Sequence, residues 1–188
     1  SGVISLILSA APEPLQTNDV AAIIALTSVK NDPYSNSWKT NKRGIRYSPI
    51  YGFGRLDAEA AVNIASSYRH KKKAERETAI VTENIFPLSI PSFLSGFTSI
   101  NLELLDSKID FIDFIELIIY FTKKEDISDY SLFRIIVVSP SGTERLVKDI
   151  SPIMEPTIRH YRITSRDFFG EEANGTWTVK FLRENVGP

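Results

Sequence analysis

The period of the apolar pattern changes once along this chain, and that change limits the folds open to it. Before about residue 70 the apolar residues recur at helical spacing; beyond Ala79 they alternate. Thr98, Ile100, Leu102 and Leu104 alternate with polar residues. Ile115, Leu117, Ile119 and Phe121 share one face of 114–122, and Phe133, Ile135 and Val137 share one face of 131–138. Trp177, Val179 and Phe181 do the same near the end. Strict alternation over such lengths marks half-buried strands. Turn clusters at 139–143, SPSGT, and 173–176, ANGT, separate them. Several short strands with no helix between them predict an antiparallel sandwich.

The first 70 residues read as helices. Residues 2–9 are apolar nearly all round, which predicts a buried helix, and Pro12 and Pro14 stop it. Val20, Ile23, Ile24 and Thr27 give a second helix its face, with Gln16 or Thr17 as cap and Asp19 in the first turn. Residues 31–48 read as polar loop. In YGFGRLDAEAAV, residues 51–62, two glycines make a tight turn and Asp57 stands at a helix N-cap. Ala58, Ala61, Val62 and Ala65 then form a thin stripe suited to close packing, on a helix running to about Arg69. Residues 68–78, YRHKKKAERET, carry five basic residues before Glu75 and no large aliphatic, which predicts a solvated helix end and linker.

Composition removes several classes of function. With a net charge of −1, no global basic field gathers nucleic acid or anionic membrane. No apolar run reaches the length of a membrane span, and the first residues lack the basic start of a signal peptide. Cysteine is absent, so disulfides, thiolate nucleophiles and cysteine metal sites are absent too.

Four segments resemble the subtilisin/kexin family of serine proteases. SGVISLILSAAPEP, residues 1–14, resembles the downstream part of the long helix that begins with the nucleophilic serine. YSPIYGFGRLDAEAAV, residues 47–62, is similar to the kexin and furin wording YSHxYGFGxxDA. SPSGTERL, residues 139–146, and FGEEANGTWTV, residues 169–179, resemble the SPxGTxSxL and WGExxxGxWxL segments of the P domain, also called homo-B. Phe169 stands where that motif has Trp.

The resemblance implies a mixed fold. Residues 1–70 would be the helical C-terminal part of an α/β subtilase catalytic domain, 71–78 a charged linker, and 79–188 an all-β, jelly-roll-like antiparallel sandwich, the P domain, lacking its closing strand. It also implies that the catalytic Ser, His and Asp lie before Ser1. The expected role is that of a non-catalytic fragment of a secreted, periplasmic or cell-surface endopeptidase, its P domain bracing the catalytic domain. That domain is then the partner, and polypeptide the parent's substrate. A β-sandwich binding module without protease work is the alternative. Without a closing strand, residues 176–183 would present an open edge for self-association.

The residues themselves supply no catalytic candidates. His70 sits among lysines, and His160 reads as a strand-surface residue rather than a base. The GFG turn lacks the third glycine and lysine of a phosphate loop. Calcium is implied by the resemblance, mostly through upstream residues. Here Glu125, Asp126 and Asp129 form one acidic cluster, and Glu171, Glu172 and Asn174 another, each with too few oxygens for a calcium site. Hydrated loops are expected for both. Lys71–Lys73 reads as linker and as a site open to a basic-specific protease. Phe93, Phe97, Phe111, Phe114, Tyr120, Phe121 and Phe133 could line a carbohydrate groove, but their alternating setting predicts core packing.

Overall fold

A computed structural model describes residues 1–69, 97–109, 111–120, 133–149 and 160–183. The chain divides into two compact units, Ser1–Glu77 and Thr78–Pro188.

The first unit holds helices α1 (Gly2–Ala10), α2 (Thr17–Thr27) and α3 (Ala58–Ser67), with a two-residue hairpin of β1 (Lys39–Thr40) and β2 (Arg46–Tyr47). The hairpin lies in the stretch expected to be plain loop. Gln16 caps α2, and its backbone N–H donates to Asp19 Oδ2 at 2.7 Å. Asp57 caps α3, accepting from the Ala60 N–H at 2.9 Å. The first N–H groups of a helix have no intrahelical partner, and these side-chain oxygens supply acceptors at the starts of α2 and α3. Ala61 and Ala65 on α3 pack with Ile7, Val20 and Ile23 in one core. Small side chains there let the helices approach closely.

The expectation of a fully buried α1 is overturned. Only Ile7 is buried along it, while Ile4, Leu6 and Leu8 are 42%, 52% and 49% exposed. Three short helices can enclose just one side of an all-apolar helix, here the side of Val3, Ile7 and Ala10.

The second unit contains β3 (Thr98–Leu104), β4 (Ile115–Tyr120), β5 (Phe133–Val138), β6 (Glu144–Lys148), β7 (His160–Ser165) and β8 (Gly175–Arg183). They form antiparallel sheets in the orders β3-β8-β5-β6 and β4-β7. The register places like with like. Trp177 and Val179 of β8 lie opposite Leu102 and Ile100 of β3; Val179 and Phe181 also face Val137 and Ile135 of β5. A strand slip of one residue would turn that whole face outward. Ile115, Leu117, Ile119 and Ile163 of the smaller sheet pack against the same core, so the two sheets share it. Alternation read in the sequence corresponds to alternating burial along β3 and β4. The side chain of Phe133 falls outside the described residues.

Strand β8 corrects a second expectation. It is an interior strand, bonded to β3 on one flank and β5 on the other. The place assigned to a later closing strand is taken by β3, from earlier in the chain. The expected open edge on residues 176–183 is therefore absent, and with it the basis for self-association there.

Candidate functional site

The resemblance-bearing segments converge on two loop structures. The first is the glycine turn before α3. Gly52 and Gly54 have φ of +61° and +119°. A Cβ on Gly54 would lie 2.3 Å from the Val29 carbonyl oxygen, so only glycine fits. That approach lets Val29 and Arg55 exchange two backbone hydrogen bonds, of 3.0 and 2.8 Å. Ser48 is wholly buried behind the turn. Its hydroxyl accepts from the Ile50 and Tyr51 N–H groups, each at 3.1 Å, and sits 2.9 Å from the Ser37 hydroxyl. Its backbone exchanges two further bonds with Gly52. Tyr51 stacks on Trp38, whose indole N–H donates to the Asp32 carbonyl at 2.7 Å. The turn is thus a corner tied by hydrogen bonds within itself and to Val29 and Ser37.

The second structure joins the two β-unit motifs. In 139–142, Pro140 follows Ser139 and the Gly142 N–H donates to the Ser139 carbonyl at 2.9 Å, closing a β-turn. Glu171 lies beneath it, wholly buried. The Ser139 hydroxyl donates to Glu171 Oε2 at 2.5 Å and the Thr143 hydroxyl donates to Oε1. The Glu171 carbonyl accepts from the Ile112 N–H at 2.9 Å. A second contact reinforces the first: Gly175 has φ +127°, and a Cβ there would meet the Pro140 ring at 2.7 Å. The SPSGT turn therefore rests on both ends of the GEEANG loop. Phe168, also wholly buried, meets Trp177 edge-on at 5.3 Å. It, rather than Phe169 alone, anchors the aromatic core beside this loop.

The hydrated-loop expectation fails for Glu171. Its oxygens serve hydroxyls of another segment, and only Glu172 and Asn174 of that cluster are exposed. Asn174 Oδ1 accepts from the Ser107 N–H at 2.9 Å. These oxygens are committed to protein donors and do not fit a calcium shell. Among the described residues no group of three or more acidic or histidine side chains is placed to hold a metal. Glu125, Asp126, Asp129, His70, Lys71–Lys73, Phe93 and Phe121 lie outside the described residues. His160 opens β7 opposite Tyr120.

The aromatic expectation also needs correction. Phe97, Phe111, Phe114 and Tyr120 are 55%, 58%, 36% and 76% exposed instead of forming core. Phe114 and Tyr120 fall on the outward side of the β4 alternation, which has no second layer in the described residues.

One ion pair was not visible in the sequence. Arg145 Nε and Asp167 Oδ1 lie 3.5 Å apart with both side chains largely buried. Burial raises the Asp167 carboxyl above the usual range, against the opposing effects of the Ser165 hydrogen bond at 2.7 Å and the Arg145 charge. A cleft of 90 Å³ beside Leu26, Ser28, Ile45 and Phe53 is well below the size of a small-molecule site. No helix among the described residues is long and apolar enough to cross a membrane.

No family model matches the chain. Curated proteins do. A PC3-like endoprotease of Hydra vulgaris is 39% identical over 79 residues, 42% of this chain and 11% of its own length. Human proprotein convertase subtilisin/kexin type 6 is 27% identical over 188 residues, 96% of this chain and 18% of its own. The chain thus spans less than a fifth of these relatives. Among solved structures, a serine protease of Aeromonas sobria matches with a TM-score of 0.75 at 20% identity, over 99% of this chain and 36% of that one.

Proposed function

We propose that this chain, whose relatives are the subtilisin/kexin-type proprotein convertases and whose fold is that of a region of a serine protease, is a non-catalytic C-terminal part of a kexin-like endopeptidase. In this reading the helical unit completes the catalytic domain, and the β unit is a P domain of jelly-roll type that braces it. The parent would be exported and would cleave polypeptide by acyl transfer to serine followed by hydrolysis.

One observation carries the reading. The helical unit has a small core and a large apolar exterior: Ile4, Leu6, Leu8 and Leu26 are 42–59% exposed. Burying each such side chain is worth about 1.5–3 kcal/mol. An apolar shell of that kind fits a unit built to sit against further protein, and most of the Aeromonas chain has no counterpart here. The hydrogen-bonded corner at Ser48 and the Glu171 junction are structural in this reading. Each uses polar groups that a catalytic site would leave available.

The test is a fluorophosphonate serine probe, applied to this chain and to a product that also includes its upstream coding region. The short chain should remain unlabelled and the longer product should label at one serine. Stoichiometric labelling of the short chain, or none of the longer product, overturns the reading.

The exposed aromatics Phe97, Phe111, Phe114 and Tyr120 favour a second reading, in which the β unit binds a partner or glycan without serving a protease. A start codon close to Ser1 would decide for it.

A further inference from the structure

The sequence contains one N-x-Ser/Thr triplet, Asn174-Gly175-Thr176, an acceptor pattern for N-glycosylation. Asn174 and Thr176 are both exposed, at the start of β8. The Asn174 amide is nevertheless occupied. Its Oδ1 accepts from the Ser107 N–H at 2.9 Å and its Nδ2 donates to the Ser107 carbonyl at 3.0 Å. This clasp extends the β3–β8 pairing past its last rung, Leu104 opposite Gly175.

We propose that Asn174 is an N-glycan acceptor, and that a glycan on it and the Ser107 clasp exclude each other. The proposal rests on the reading of the parent as an exported protein. In the transfer, C1 of a saccharide carried on a lipid diphosphate bonds to Nδ2. The C1–O bond to the diphosphate breaks, the diphosphate leaves, and one Nδ2 proton is lost. Resonance keeps the product amide planar and favours the trans arrangement, as in a peptide bond. Trans places the sugar on the same side as Oδ1. A two-point clasp on one backbone residue uses the Nδ2 hydrogen of that side, so the sugar takes the position of the clasp hydrogen. Transfer must therefore precede closure of the clasp. The glycosylated chain folds without the clasp and is less stable for it.

The experiment sends the whole chain through the secretory pathway of a eukaryotic host behind a cleavable export signal, beside a Thr176→Val variant that keeps the β-branched shape but removes the acceptor hydroxyl. Treatment with a glycan-releasing amidase in ¹⁸O-water marks occupied Asn174 by its mass shift. The wild-type chain should be occupied and Thr176→Val should not. The glycoform should melt below the same chain made in a bacterium without the transferase, while Thr176→Val from the two hosts should melt alike. Asn174→Asp, which keeps Oδ1 but loses the donor, should reproduce the lower midpoint. An unmodified Asn174 in a host that fills a control triplet overturns the proposal. So does a glycoform or an Asn174→Asp protein that melts with the unmodified chain. Because the signal is supplied, occupancy is independent of native export; that reading fails separately, by fractionation of the source cells.

Discussion

Ser139 donates its hydroxyl to a Glu171 carboxylate 32 residues away, at 2.5 Å, where both residues are buried. The bond holds the SPSGT turn on the GEEANG loop, and Thr143 completes it from the other oxygen. A hydrogen bond to a charged group contributes about 1.5–3 kcal/mol, and orphaning one partner costs the desolvation of what is left. Ser139→Ala should therefore destabilise the chain by roughly that amount in urea denaturation. Ser139→Ala combined with Glu171→Gln should cost less than the sum of the single changes, because the pair acts as a unit. Strict additivity in the double-mutant cycle would show that the junction is not coupled.

Gly54 gives a contrast with Gly44. Both have positive φ, +119° and +77°, but a Cβ on Gly44 meets nothing within 4 Å, whereas on Gly54 it would collide with the Val29 carbonyl. Gly44→Ala should cost the conformational penalty alone, about 1–2 kcal/mol. Gly54→Ala should cost distinctly more, because the Val29–Arg55 bridge must separate. Equal thermal midpoints for the two variants would remove the steric part of this argument.

Periodicity made the strands and helices legible, since burial on one face is a local pattern. Thus β3, β4, β5 and β8 and the Asp57 cap could be read directly. Strand β6 could not. In ERLVK the charged Arg145 and Lys148 turn inward while Leu146 is exposed, and Arg145 lies there against Asp167, a partner 22 residues on. Glu171 was misread for the same reason. A carboxylate beside another acid looks hydrated until hydroxyls from a distant turn appear against it. The position of β8 between β3 and β5 was also hidden, because strand order depends on pairing across 70 residues and more. The exposed residues of α1 could not be told from buried ones, as Ile4, Leu6 and Leu8 are as apolar as Ile7.

That exterior of α1 makes a prediction of its own. Replacing Leu6 and Leu8 by Gln removes apolar surface that is already half in water, so the stability of this chain should change by no more than about 0.5 kcal/mol. Solubility at high concentration should rise. Ile7→Ala, by contrast, opens the packed core and should cost about 2–5 kcal/mol. Comparable losses from the two changes, measured by chemical denaturation, would mean that Leu6 and Leu8 are covered in solution.

Tyr68 closes the helical unit, and its titration is a measurable sign of that. Its hydroxyl donates to Asp19 Oδ1 at 3.0 Å, tying the end of α3 to the first turn of α2. Burial raises the phenol above its ordinary value of 10.0, and the hydrogen bond to Asp19 and its negative charge add to the shift. Folding thus favours the protonated phenol. Between the unfolded value near 10.0 and the higher folded one, the unfolded chain has lost the proton while the folded chain keeps it. Stability falls with rising pH across that window, and the Tyr68 contribution is fully present below it. Tyr68→Phe should lower stability at neutral pH through loss of the bond and should flatten the alkaline decline. Asp19→Asn should flatten it in part, leaving the share due to burial. Urea unfolding measured at steps from pH 8 upward compares the three slopes. Parallel slopes for all three proteins would show that the Tyr68–Asp19 bond is not kept in solution.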